Sequence, residues 1–254
     1  MKVDILASGS AGNCVAVTAG GKTILIDAGV AKTKIEKRLL EVGIRPDHIA
    51  AIMITHAHND HTKGLPLANK FRIPVWATEG EWQKISGVDE DLRCTAETRW
   101  GKYEMIELGG VHVYPFETFH DAREPVGYAI EDDEGGRCCV VFDTGKWTEE
   151  MLEMMEGSHY VLIEANHDPD LVEMCNRPDS IKARILSDIG HLSNQQTAEV
   201  LKRLIRGRGE RIYLTHLSGE NNTPQLAEMT VRMALRQRGF EEGKHYHLEV
   251  VTGA

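Results

Sequence analysis

Short apolar runs, mostly β-branched and bounded by glycine or polar clusters, recur from one end of the chain to the other and predict strands. The first three are Val3–Leu6, Cys14–Thr18 and Thr23–Ile26. SGSAGN at 8–13 and Gly20-Gly21 are the turns between them. Further strands are predicted at Ala50–Thr55, Val75–Thr78, Met105–Leu108, Val111–Phe116, Gly127–Glu131, Cys138–Phe142, Tyr160–Glu164, Ile212–Thr215 and His247–Val251, with the acidic stretch 132–136 as a hairpin tip. The period lengthens to that of a helix over 32–42, where Ile35, Leu39 and Val42 form one stripe and Gly43 is the stop. A second helix is predicted over about 62–70. A third follows Ser193, which caps with Gln196 three residues on, and a fourth follows Thr223-Pro224, with Leu226, Met229, Met233 and Leu235 as its apolar positions. Many strands with few helices predict an α/β chain, two sheets packed as a sandwich and flanked by helices, rather than a regular βαβ repeat. No linker, repeat or low-complexity tract interrupts residues 1–254, so the chain reads as one domain.

The histidines bring in the chemistry. There are twelve, and the densest group is Thr55-His56-Ala57-His58-Asn59-Asp60-His61, directly after the strand AIMIT. In extended chain, His56, His58 and Asp60 point to one side, and a turn from the following helix would bring His61 to the same cavity. Three imidazoles and a carboxylate make a nitrogen/oxygen donor set suited to Zn²⁺, Mn²⁺ or Fe²⁺.

Charge and composition narrow the partners. Lys and Arg number 29 against 39 Asp and Glu, a net charge of −10. That disfavours broad binding to nucleic acid or anionic membranes and leaves room only for a small basic cleft. Five cysteines without a CxxC pair argue against a disulfide framework and fit a reducing cytosol. The N-terminal stretch turns polar too soon for a signal peptide, and no apolar run is long enough to span a membrane, so a cytoplasmic location is expected. Oligomeric state is left open.

HAHNDH matches the HxHxDH signature of the metallo-β-lactamase fold, and the other motifs follow in that family's order. ILIDAG holds Asp27, FETFHDAREPVGY holds His120, VVFDTG holds Asp143 and IYLTHLS holds His216. The chain resembles this family, which implies a four-layer αββα sandwich of two mixed sheets. The resemblance also implies two divalent ions, Zn²⁺ or Mn²⁺ ahead of Fe²⁺. His56, His58 and His120 would hold one, Asp60, His61 and His216 the other, with Asp143 between them. Asp27 would orient the histidine loop.

Beyond those motifs, ASGSAGN at 7–13, the stretch from Glu164 through RPDSIKARILSDIGHLSN to 194, and THLSGENN at 215–222 resemble the bacterial YycJ/WalJ branch. That branch is associated with 5′-to-3′ exonuclease activity on DNA. The expectation is therefore a dinuclear phosphodiesterase, with hydroxide available near neutral pH and Asp60 as proton acceptor or orienter. His167 or His191 would be the proton donor to the leaving oxygen. Asn166, Ser193, Arg177, Lys182 and Arg184 are the expected substrate contacts, the last three as the compact basic run of that half. With a charge of −10, a DNA partner implies a short footprint. Alternatives are a phosphodiesterase of RNA or of cyclic or small nucleotides, a glyoxalase-like thioester hydrolase, and a non-catalytic regulatory partner. His58 stands where a flavo-diiron protein carries glutamate, which speaks for hydrolysis.

Overall fold

The computed structural model describes residues 1–99 and 102–253, which divide into two compact units. The first unit comprises Met1–Glu117 and Ala122–Arg137, the second Thr118–Asp121 and Cys138–Thr252.

In the first unit, β1 (Lys2–Ala7), β2 (Cys14–Ala19) and β3 (Lys22–Ile26) form an antiparallel meander. β4 (Ile49–Met53), β5 (Val75–Ala77) and β6 (Arg93–Thr95) add on in parallel, giving a six-stranded sheet in sequence order. Parallel strands are covered on both faces, which is why AIMIT is apolar without alternation. Helix α1 (Lys32–Glu41) lays Ile35 and Leu39 into the core against Leu25, Ile52 and Val75. The helix expected over 62–70 is instead two short ones, α2 (Asn59–Thr62) and α3 (Pro66–Phe71). The break falls at Gly64, where any Cβ would collide with the carbonyl oxygen of Val30. Next come α4 (Glu79–Trp82), the two-residue pair β7 (Thr98–Arg99) and β8 (Lys102–Tyr103), and the antiparallel strands β9 (Ile106–Glu107), β10 (Val111–Glu117) and β11 (Val126–Asp132).

The second unit is built on four parallel strands, β12 (Arg137–Val141), β13 (Tyr160–Glu164), β14 (Glu210–Thr215) and β15 (Tyr246–Val250). Its helices are α5 (Glu149–Met155), α6 (Pro169–Met174), α7 (Asp179–Ile185), α8 (Asn194–Leu204) and α9 (Pro224–Gln237). The capping box expected at Ser193 is formed in full. Thr223 caps α9 through the Leu226 N–H, but the inward face of that helix is Ala227, Val231 and Leu235. Met229 and Met233, expected with the apolar positions, are 53% and 59% exposed. Flexible methionines on the outer face satisfy helix propensity without joining the core.

Cys14, Cys138 and Cys139 are buried, and none of the five cysteines is joined in a disulfide. Among the described residues no helix is long and apolar enough to cross a membrane.

Candidate metal centre

In each unit the polar residues of interest stand at the carboxyl ends of parallel strands. There the ladder stops, which is the usual ligand position in such sheets.

In the first unit the histidine loop is held by Asp27, just beyond β3. Its Oδ1 accepts the Thr55 N–H at 2.8 Å and its Oδ2 accepts the Thr55 hydroxyl at 2.9 Å. The same Oδ2 lies 2.7 Å from His61 Nδ1. A carboxylate on Nδ1 fixes the proton there and makes Nε2 the nitrogen that carries the lone pair a metal can take. Nε2 of His61 faces Asp60 Oδ2 at 3.4 Å and the Asn13 amide at 3.2 Å, so the SGSAGN turn lines the donor group. His56 Nε2 and His58 Nδ1 are 2.9 Å apart. The extended alternation ends at His58, because α2 begins at Asn59. Asp60 and His61 therefore sit on its first turn rather than in a strand. Gly29 permits this, since a Cβ there would collide with the Asp60 carbonyl oxygen. Burial pushes the Asp27 carboxyl up from its usual range, against the opposing pull of His61.

Asp27→Asn isolates this arrangement. Either amide orientation faces a donor with a donor, at Thr55 N or at the His61 side. Pulling the His61 proton onto Nε2 removes the ligand lone pair. Metal affinity, measured by chelator competition, is expected to fall by about 10–100-fold.

A residue that sequence reasoning missed completes the loop. Glu81 on α4 is buried and accepts the N–H groups of Ala57 and Glu124, each at 2.7 Å. Nothing in ATEGEW marks it, because its partners lie 24 and 43 residues away.

In the second unit, Asp143 follows β12 and His216 follows β14. Both are buried, and both hold positive φ, 47° and 51°. With Asp27 at 59°, three of the four non-glycine residues of positive φ among the described residues belong to the donor motifs. Such backbone persists only where the surrounding structure enforces it. His216 Nδ1 is in direct contact with Asp143 Oδ1. His120 donates from Nδ1 to the Gly190 carbonyl at 3.0 Å, which leaves its Nε2 as the donor atom. The Asn166 amide donates to the His216 carbonyl at 2.9 Å and so steadies that loop.

Glu164, at the end of β13, is the second residue missed. It is fully buried; Oε1 accepts the Thr144 and Leu192 N–H groups at 2.6 and 3.2 Å, and Oε2 lies 3.0 Å from His191 Nδ1. His191 is also 3.4 Å from Asp143. Burial opposes the charged form of both imidazoles, but Glu164 and Asp143 outweigh it and carry His191 up to about 10 and His216 up to about 9. Burial likewise acts against the Glu164 carboxylate, yet His191 and His216 hold it below its ordinary value. Asp143, Glu164, His191 and His216 offer donor atoms all within 4.8 Å of one another. Two buried carboxylates that draw two imidazoles into protonation form a locus for positive charge, and of the four, Asp143 and His216 are donors of the kind a divalent ion takes in place of protons.

The remaining expected site residues are placed as follows. The His167 ring is buried, its Nδ1 has no hydrogen bond, and burial pushes its pKa down to about 4. Ser193 uses its hydroxyl to cap α8 through Gln196 N. Arg177 pairs with Glu220 at 2.7 Å, Lys182 with the Glu173 carbonyl at 2.7 Å and Arg184 with Asp121 at 2.6 Å, so each is held by a different partner.

Residues 22–217 match the Beta-lactamase superfamily domain. The chain belongs to this superfamily. Over 245 residues, 96% of the chain and 92% of the relative, it is 33% identical to the exodeoxyribonuclease YycJ of Bacillus anthracis. It is 36% identical over 249 residues to the exodeoxyribonuclease WalJ of Streptococcus pneumoniae, covering 95% and 91% of the two chains. The metallo-β-lactamase fold protein YhfI of Bacillus subtilis superposes with a TM-score of 0.71 at 13% identity, covering 99% of this chain and 97% of that one. At that identity the likeness shows the fold alone. It is the superfamily's fold, as the order of the motifs implied.

Proposed function

We propose that this superfamily member is a dinuclear-metal phosphodiesterase that removes nucleotides from the 5′ ends of DNA. The observation that carries the reading is its 33–36% identity, over nearly the whole chain, to two exodeoxyribonucleases. The donor motifs of both units support it. His56, His58 and His120 would hold one ion, Asp60, His61 and His216 the second, with Asp143 shared. Zn²⁺ and Mn²⁺ both suit these donors.

When bound, such a pair of ions lowers the pKa of a water nucleophile and offsets charge on the phosphoryl oxygens. The chain's own residues do the rest. Asp27 keeps the His61 proton on Nδ1, and Glu81 holds the loop backbone at Ala57. Asp60, whose side chain is 28% exposed, accepts the proton released by the attacking water. His191 faces outward from Glu164, with its side chain 15% exposed and its ring 5.0 Å from that of His120 and 5.3 Å from that of His216. It is placed to donate to the leaving oxygen. His167, with a buried ring and no hydrogen bond to Nδ1, is not so placed.

The test is hydrolysis of 5′- and 3′-labelled single- and double-stranded DNA in Mn²⁺ or Zn²⁺, beside His58→Ala. Stepwise release from 5′ ends, lost in the variant, is the expected result. Turnover of small phosphodiesters or thioesters with DNA left intact would refute the nuclease reading. With a net charge of −10, binding should also rest on few phosphate contacts and show a shallow salt dependence.

A further inference from the structure

The turn between α7 and His191 carries a surface that the chemistry above does not use. Leu186 and Ile189 stand 43% and 49% exposed on it. Two cations belong to the same region, Arg184 two residues before Leu186 and Lys146 against Asp188. Arg184 pairs with Asp121 at 2.6 Å; Lys146 lies 3.4 Å from Asp188 and 4.4 Å from the centre of the Phe119 ring.

The turn is fixed in place. Gly190 donates to the Ser187 carbonyl at 2.9 Å, and the Gly190 carbonyl accepts from His120. Gly145, two residues after Asp143, lies so close that a Cβ there would collide with the Ser187 carbonyl oxygen. Exposed aliphatic and cationic side chains are thus held beside His120, Asp143 and His191, all within the second unit. The carboxylates that hold Arg184 and Lys146 are themselves exposed, and exposed ion pairs contribute only about 0–1 kcal/mol. Incoming phosphates therefore displace them at small cost. On an acidic chain, this is a cationic rim adjoining the donor residues.

We propose that this turn seats the DNA end, with Arg184 and Lys146 taking backbone phosphates and Leu186 and Ile189 lying against the terminal bases. The proposal rests on the nuclease reading and names how that substrate is held. Apolar contact with base faces does not depend on sequence, and cations tracking the backbone give the accompanying salt dependence.

The experiment uses the full chain loaded with metal and a single-stranded oligonucleotide with phosphorothioate linkages, which resist hydrolysis. Affinity is followed by fluorescence anisotropy over a range of salt. The double variant K146A/R184A is expected to lower the slope of log K against log salt by about 1.4, the sum of two contacts on a single strand. K146R/R184K should keep the wild-type slope. L186S/I189S should weaken binding roughly fivefold at unchanged slope, the loss expected from apolar surface left uncovered. An unchanged slope in K146A/R184A, or full affinity in L186S/I189S, overturns the proposal. If those variants bind like a wild type that still cuts DNA, only the seat is wrong. If the wild type neither binds nor cuts DNA, the nuclease reading itself fails.

Discussion

Asp143→Asn is expected to leave a folded chain that has lost bound metal and hydrolyses DNA slower by roughly 10³-fold or more, the order lost when a preorganised electrostatic stabiliser is removed. The choice of asparagine follows from the backbone. Asp143 holds φ at 47°, a left-handed conformation that asparagine tolerates, whereas alanine adds a strain of about 1–2 kcal/mol. The substitution keeps the shape and removes the charge. Without that charge His216 and His191 keep Glu164 but lose the second carboxylate, and the buried cluster no longer attracts two positive charges. Metal per chain, initial rates and a thermal melt on the same preparation separate the possibilities. Full metal content with full turnover would show that Asp143 is not shared between the ions.

The second large effect is expected at His191. His191→Ala should keep its metal and lower kcat by about 10²–10⁴-fold, the range of a positioned proton donor. Glu164→Gln should move kcat in the same direction, because Oε2 orients His191 at 3.0 Å while Oε1 holds the Thr144 and Leu192 backbone. If the two act as one unit, the double variant should be little slower than His191→Ala alone, a non-additivity that independent contributions would not give. Undiminished kcat in His191→Ala would place the proton donor elsewhere.

Glu164 and His191 belong to one stretch of the chain, 164–193, which joins the end of β13 to the start of α8. Its expected substrate contacts divide in the folded protein. Asn166 steadies His216, Ser193 caps α8, and Arg177 and Lys182 are engaged with Glu220 and the Glu173 carbonyl. Arg184 alone among the three basic residues reaches a neighbour of a donor residue, through Asp121.

What the sequence determined by itself is the fold class, the strands along the chain and the polar motifs at their ends. The reason is local. Parallel strands buried on both faces read as unbroken apolar runs, and AIMIT, CCVVF and IYLT each end on a residue that has left the ladder: the His56 loop, Asp143 and His216. The caps at Ser193 and Thr223 were legible for the same reason, since a cap and its partner lie three residues apart. Only the tertiary structure decided what holds those donors in place. Asp27 reaches His61 across 34 residues, Glu81 reaches Ala57 and Glu124, and Glu164 reaches Leu192 and His191. It also decided that α2 starts at Asn59, that Met229 and Met233 face outward, and that Leu186 and Ile189 share a surface with Lys146. Contacts of that kind have no period and no fixed spacing. They exist only once distant strand ends have been brought side by side, and a buried glutamate such as Glu81 then stands apart from the exposed ones by its partners alone.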